Sequence, residues 1–305
     1  MLVRHEAHAA SLRGQGMDVA SLPFGGFLDP VTPWRFRRAI ADFKPDIVMT
    51  WMTRATRLCP RGKFVHVARI GGYYDLRHYR HCDHLIGNTR ALVRGFAEQG
   101  WPEDRIHYLP NFVDTVAAPA LPRAAFGTPE GVPLALALGR LHPNKAFDVL
   151  LSAVARLPDL HLWLAGEGEL RRVLEEQAAS LGIGSRVRFL GWRQDVAALL
   201  AAADLLVCPS RQEPLGNVVI EAWAAGKPVV AAASAGPVEL IEQGRTGLLV
   251  PVDDAAALAA SLGRVIGDDD LAAYLAAEGR AAFEAEFTEA RTIAGYRSLF
   301  ARVLN

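Results

Sequence analysis

The stretch Ser210-Arg211-Gln212-Glu213-Pro214-Leu215-Gly216-Asn217-Val218-Val219-Ile220-Glu221 decides how the chain reads. An apolar run, Asp204-Leu205-Leu206-Val207-Cys208, precedes it and has the length of a buried strand. The residues after Gly216 form a helical pattern that stops at Gly226, with Pro228 behind it. A second apolar strand, Val229-Val230-Ala231, follows at once. Strand, loop, helix and strand in that order make a parallel βαβ unit, whose ligands bind outside the carboxyl ends of the strands. Glu213 lies on the loop and Glu221 about one turn inside the helix. Ionised carboxylates only accept hydrogen bonds, so both suit hydroxyl groups of a sugar or ribose. Gly216 permits close backbone approach, and the first helix amides suit a phosphate or a sugar hydroxyl. Taken singly, each glutamate reads more simply as a helix-start acid or a surface residue.

Outward from this stretch, strands are predicted at 133–138, 160–164, 187–190, 205–208, 228–232 and 248–250, with helices between them. Two long helices are predicted at 268–286 and 289–304. Earlier in the chain, strands are expected at 17–22, 46–51, 63–69, 84–87 and 105–108. Helices are expected at 32–43, after the turn 71–74, and from the Thr89 cap to Gln99. Residues 115–131, rich in Ala, Pro and Gly, read as a linker. The expected organisation is 1–116, an N-terminal Rossmann-like domain; 117–286, a second Rossmann-like domain; and 287–305, a helix returning to the first domain. Residues 1–13 read as the later part of a helix with no strand ahead of it. A doubly wound sheet normally has its first strand at the centre, so the N-terminal domain is expected to be incomplete.

The 305 residues suit two domains, and 51% of them are apolar. A formal net charge of zero leaves no electrostatic footprint for nucleic acid. Cysteines at 59, 82 and 208 show no paired or metal-ligand spacing and point to a reducing compartment. The sequence has no run of transmembrane length and no signal-peptide layout at Met1, so a cytoplasmic location is expected. His78, His81, Cys82 and His84 cluster, but the segment turns from helix to strand and reads as structural. The basic, aromatic segment Thr32-Pro-Trp-Arg-Phe-Arg-Arg is a candidate for peripheral contact with a membrane surface, although a solvated helix face accounts for it more simply.

Other strand ends carry suggestive chemistry. Gly139-Arg140-Leu141-His142-Pro143-Asn144-Lys145 offers an arginine fork and a lysine point charge for phosphate oxygens. Ala165-Gly166-Glu167-Gly168-Glu169 is a tight Gly-rich turn, and Gly191-Trp192-Arg193 ends the next strand. Gly139-Arg140-Leu141 with Lys145, Pro209-Ser210 ahead of Glu213, and Glu221-Ala-Trp-Ala-Ala-Gly-Lys-Pro-Val-Val together resemble a family 4 glycosyltransferase. The resemblance covers the second half and most of the first.

This resemblance implies an α/β GT-B fold: two Rossmann-like domains with a cleft between them. It also implies a UDP-, GDP- or ADP-sugar donor and transfer with retention to a glycan or glycolipid, in cell-surface polysaccharide or lipopolysaccharide synthesis. By position, Arg140 and Lys145 hold the diphosphate, Glu213 holds hydroxyls of the transferred sugar, and Glu221 holds the ribose. Leu215, Gly216 and Asn217 offer backbone amides, Gly166 lines the turn beside them, and Gly191, Trp192 and Arg193 lie beside the base. No metal is required by the charge count, because cations and helix amides face the leaving diphosphate. The sequence departs from the family at Ala146, where glycine is frequent, and in lacking the Gly-rich loop after the first strand. Where members often carry a histidine, this chain has Gly71; Arg69 is the candidate there for donor phosphate or acceptor. Tyr73, Tyr74, His5 and His8 are acceptor-side candidates. Two other readings share the architecture: a catalytically impaired nucleotide-sugar-binding protein, and a nucleotide-sugar epimerase, against which stands the lack of an acid pair poised for elimination.

Overall fold

The computed structural model describes residues 1–25, 29–113 and 117–304. The chain divides into two compact units, Met1–Leu109 with Gly295–Asn305, and Pro110–Ala294. The expected boundary at 116/117 and the start of the predicted linker fall outside the described residues, as do 26–28 of the Pro/Gly-rich loop.

In the first unit, β1 (Leu2–Val3) precedes helix α1 (Glu6–Gly14) and pairs in parallel with β2 (Ala20–Ser21). This corrects the expectation that the chain opens inside a helix: two extended residues come first, and the helix begins only at Glu6. Helix α2 (Val31–Phe43) leads to a parallel sheet of β3 (Ile47–Trp51), β4 (Val65–Ile70), β5 (His84–Gly87) and β6 (Ile106–Tyr108), in that order. Helix α3 (Met52–Leu58) follows β3 directly, and α4 (Arg90–Glu98) follows β5. The Thr89 hydroxyl caps α4 by accepting from the Leu92 amide at 3.1 Å, which satisfies a donor the helix itself cannot. The helix expected after residues 71–74 is a single 3₁₀ turn, Leu76–Tyr79. A groove of about 1350 Å³ runs beside β1 and β3, lined by Leu2, Phe36, Ile40, Met49 and Thr50 among others.

The second unit is built on a six-stranded parallel sheet. Its strands are β7 (Leu134–Leu138), β8 (His161–Ala165), β9 (Val187–Gly191), β10 (Leu205–Cys208), β11 (Val229–Ala232) and β12 (Leu248–Val250), ordered β12-β11-β10-β7-β8-β9. Residues of β7 are buried on both faces, which is why it reads Leu-Ala-Leu-Ala-Leu without polar alternation. Ala135 and Ala137 face one core with Leu150 and Leu151 of α5 (Phe147–Val154) and Leu258 and Leu262 of α10 (Ala255–Gly267). Leu134, Leu136 and Leu138 face the other, with Val219, Ile220 and Trp223 of α8 (Asn217–Ala224). Strand order reverses at β7, which pairs with β8 on one side and β10 on the other. Open α/β sheets bind ligands at such a switch point.

Residues 117–131 are not a free linker. Arg123 donates to the Ala202 carbonyl and to Asp204, each at 2.7 Å, and the Thr128 hydroxyl accepts from the Trp163 indole at 2.9 Å. Phe126 packs edge-on to Trp163. Leu121 and Phe126 pack against the core on one face of the sheet, while most of the alanines and prolines, which make the composition read as flexible, are exposed. Helices α6 (Arg171–Ser180), α7 (Val196–Ala202) and α9 (Ala235–Leu240) follow β8, β9 and β11, α11 is Asp269–Glu286 and α12 is Glu289–Val303. The end of α12 sets Tyr296, Leu299 and Phe300 against Val67, Ile86 and Leu109 of the first unit's core. Among the described residues, no helix is long and apolar enough to cross a membrane.

Candidate functional site

The ends of β7 and β10 bring two loops together. After β7, Pro143–Lys145 makes a 3₁₀ turn whose capping residue, His142, accepts from the Asn144 amide through Nδ1 at 3.1 Å. Ala146 closes that turn with φ 52°, holding the left-handed backbone that a glycine adopts at lower cost. After β10, the Ser210–Gly216 loop delivers Glu213. Lys145 Nζ donates to Glu213 Oε2, and the Ser210 hydroxyl donates to the same oxygen at 3.3 Å. The pair is largely shielded, with side-chain exposures of 23% and 12%. A charge so placed is tolerated because its partner sits against it. Two residues 68 apart in sequence thus form one ion pair at the switch point.

Arg211, which carried no role in the sequence reading, fixes this arrangement. Its guanidinium forks onto Asp148 at 2.7 and 2.9 Å, reaches Asp253 at 2.5 Å, and donates to the Pro143 carbonyl at 2.8 Å. Burial raises the Asp148 carboxyl, but the Arg211 hydrogen bonds and charge outweigh it and leave it below its ordinary value. The backbone adds a further tie, from the Gln212 amide to the Asn144 carbonyl at 3.2 Å. Nothing in the local pattern marks Arg211, since its partners come from two other loops.

Glycines let the neighbouring loops close on one another. A Cβ at Gly166 would lie 1.8 Å from the Gly139 carbonyl oxygen, and one at Gly168 would lie 2.3 Å from the Leu141 carbonyl oxygen. No side chain fits at that spacing, so the loops after β7 and β8 are in backbone contact. Arg140 projects beside them, 71% exposed, with Glu169 at 3.4 Å. Glu169 also lies 3.6 Å from His142.

Gly216, at φ 92°, turns the chain into α8. It is the helix's capping position and supplies no side chain there, so the amides of Asn217 and Val218 open onto the loop side. The Asn217 side chain accepts from Asn111 at 2.9 Å, and Leu215 is buried. The Gly236 amide donates to the Glu213 carbonyl at 2.7 Å, fixing the loop from behind. Glu221 lies one turn along α8, where burial raises its carboxyl. Holding that group ionised has a cost that a hydrogen-bonding ligand would offset.

The remaining candidates fall differently. Gly191 ends β9 with φ 70°, and its carbonyl accepts from the Gly166 amide at 2.8 Å. Trp192 is 68% exposed, a free aromatic face at the strand end. Arg193 instead forks onto Asp195 at 2.9 and 2.6 Å and lies over Phe126. Arg69 belongs to the first unit, where it is buried and donates to the Leu109 carbonyl at 3.1 Å and to the Tyr296 hydroxyl. Through Tyr296 it braces α12. The tyrosines at 73 and 74 are exposed, as are His5 and His8.

The sequence profile described as "Glycosyl transferases group 1" matches residues 132–268, the part that holds every second-unit candidate. The chain is 38% identical over 272 residues to the lipopolysaccharide core biosynthesis glycosyltransferase LpsE of Rhizobium meliloti, covering 88% of this chain and 79% of that protein. It is 35% identical over 271 residues to LpsD of the same organism, with the same coverage. Among solved structures, Anabaena HepE in complex with UDP and glucose superposes with a TM-score of 0.82 at 23% identity, covering 97% of this chain and 89% of that one. A glycosyltransferase from Rickettsia africae superposes with a TM-score of 0.84 at 20% identity, covering 97% and 87%. These structural matches establish the fold as GT-B.

Proposed function

The chain belongs to the group 1 glycosyltransferases, and we propose that its second unit binds a nucleotide-diphosphate sugar and transfers the sugar with retention, as a family 4 hexosyltransferase. The observation that carries this reading is the Lys145–Glu213 pair at the sheet's switch point, beside the glycine-opened start of α8.

The roles follow from the chemistry of each group. Lys145 and Arg140 meet the diphosphate oxygens, one as a point charge and one as a fork. The Gly216–Val218 backbone gives amides to phosphate or sugar, as helix starts do. Glu213 accepts from hydroxyls of the transferred sugar and, through its pairing, keeps Lys145 in place until the donor arrives. Glu221 accepts from the ribose hydroxyls, and Trp192 offers its face to the base. During transfer the bond from the anomeric carbon to the diphosphate oxygen breaks, and a bond to the acceptor oxygen forms on the same face. The acceptor's proton passes to the departing phosphate, so no strong protein base is needed. Positive groups already in place then stabilise the growing charge without reorganising. Two cations and the helix amides supply that stabilisation, so the reading needs no metal.

The acceptor in this reading is a glycan or glycolipid of the lipopolysaccharide core, supported by the similarity to LpsE and LpsD. Work on such an acceptor places the protein at the cytoplasmic face of a membrane. The exposed Trp34 and the arginines of α2 are the surface suited to peripheral contact. The test is incubation of the purified chain with UDP-glucose, UDP-galactose, GDP-mannose or an ADP-sugar and a core-truncated lipopolysaccharide. The anomeric configuration of the product is then read by NMR. One donor is expected to be consumed, giving a product with the donor's configuration. Inversion at the anomeric carbon would overturn the retaining assignment, and saturable donor binding without any transfer would favour a binding protein.

A further inference from the structure

We propose that His66, His81 and Cys82 form a binding site in the first unit for a borderline-soft divalent cation of the zinc class. One ligand atom from each of the three lies within 4.8 Å of the other two. His66 projects from β4, while His81 and Cys82 sit in the turn that precedes β5. The grouping is therefore tertiary, with a ligand supplied from sixteen residues away in the pair His66–Cys82.

The donor set and its supports match what such an ion selects. Two imidazoles and a thiolate are the ligand types of zinc sites that keep one position for another group. His66 Nε2 faces Cys82 Sγ at 4.0 Å. His81 Nε2 donates to the Thr56 carbonyl at 2.9 Å, which leaves Nδ1 as that ring's lone-pair nitrogen. A backbone carbonyl holding one ring nitrogen is the usual way a histidine that binds metal through the other is oriented. Thr50 Oγ1 lies 3.0 Å from His66 Nε2 and 2.9 Å from Thr56 Oγ1, so a hydroxyl or a water held by it can complete the coordination. Thr50, itself buried, also lines the groove beside β3. Bond lengths to tetrahedral zinc set ligand atoms roughly 3.3–3.6 Å apart, so the His66–Cys82 edge of 4.0 Å has to shorten by roughly 0.5 Å and the others, within 4.8 Å, by at most about 1.5 Å. On binding, the Cys82 thiol gives its proton to solvent and the thiolate takes the metal. The ion would clip the 81–82 turn to the start of β4, within the first unit.

Cobalt(II) titration of the full chain, first stripped with a chelator, tests this directly. The expected result is a near-ultraviolet thiolate-to-cobalt band that saturates at one ion per chain and is displaced by zinc. Cys82→Ser should remove the band and Cys59→Ser should keep it. His81→Gln, at a partly exposed position that tolerates a polar side chain, should weaken cobalt affinity at least tenfold with unchanged circular dichroism. No thiolate band in the folded protein overturns the proposal. So does a band that survives Cys82→Ser, or unchanged affinity in His81→Gln.

Discussion

Arg211 and Asp148 form a forked ion pair, at 2.7 and 2.9 Å, that locks the loop carrying Glu213 to the helix start just behind Lys145. Neither residue need touch substrate to matter. Their contact sets the distance between Lys145 and Glu213, the residues proposed to hold the donor, and misplacement by an ångström at such a site is costly in rate. Arg211→Lys retains the charge but loses the fork. We expect kcat to fall about tenfold, with KM for the donor less affected, and stability to drop by on the order of 1 kcal/mol for this half-exposed pair. Chemical denaturation and steady-state kinetics on Arg211→Lys, Asp148→Asn and the double variant check it; additive losses would mean the pair is not coupled.

The same pair predicts a pH dependence. Asp148 is held below its ordinary value of 3.8, so its stabilisation is present above that value and is lost as pH falls through the lower folded value. Acid unfolding of the wild type should therefore begin at higher pH in Arg211→Ala, where the carboxylate has lost its partner. Midpoints of acid denaturation followed by circular dichroism measure the difference, and coincident midpoints would contradict it.

Lys145→Ala should weaken nucleoside-diphosphate binding far more than binding of the free nucleoside, and lower turnover by roughly a hundredfold or more. Glu213→Ala should cost turnover on a similar scale while diphosphate binding persists. Isothermal titration separates the two variants. An equal loss of nucleoside and diphosphate in Lys145→Ala would remove the lysine from the phosphate site.

Glu221 gives opposite effects on stability and binding. Burial raises its folded value above that of the unfolded chain, so the native state becomes less favourable as pH rises through that window. Glu221→Gln removes this penalty. The unliganded variant is expected to melt higher than wild type at neutral pH, yet to bind ribonucleotide about ten- to a hundredfold more weakly through loss of charged hydrogen bonds. A variant that melts higher and binds normally would take Glu221 out of the ribose site.

Gly166→Ala should unfold the second unit or lower its stability by several kcal/mol, on the order of 3 or more, because backbone and not a side chain occupies the Cβ position. Gly182→Ala is the control. It too has positive φ, at 70°, but nothing lies within 4 Å of its Cβ, so only about 1 kcal/mol of conformational strain is expected. Thermal melts of the two variants rank them.

Sequence periodicity located the second unit's strands to within a residue or two, because apolar runs such as Leu134–Leu138 are buried on both faces and bounded by turns. It was less reliable near the N-terminus, where β1 and β2 have two residues each and too little pattern to register. The 117–131 segment misled for a different reason. Its anchors, Arg123 and Thr128, bind Ala202, Asp204 and Trp163, so composition says nothing of its order. For Arg69 the sequence could not supply the partner, because a cation at a strand end reads the same before its contact with Tyr296 is seen.

By itself the sequence determined the βαβ order, the glycines at strand ends, and the identities of Lys145, Glu213 and Glu221. These follow from local rules of burial, turn geometry and spacing. Only the tertiary structure decided that β7 lies beside β10, that Lys145 meets Glu213, and that Arg211 holds both loops through Asp148 and Asp253. The physical reason is that strand order and ion pairing are settled by which buried faces pack together across the whole sheet, and a residue's neighbours in sequence carry no record of that choice.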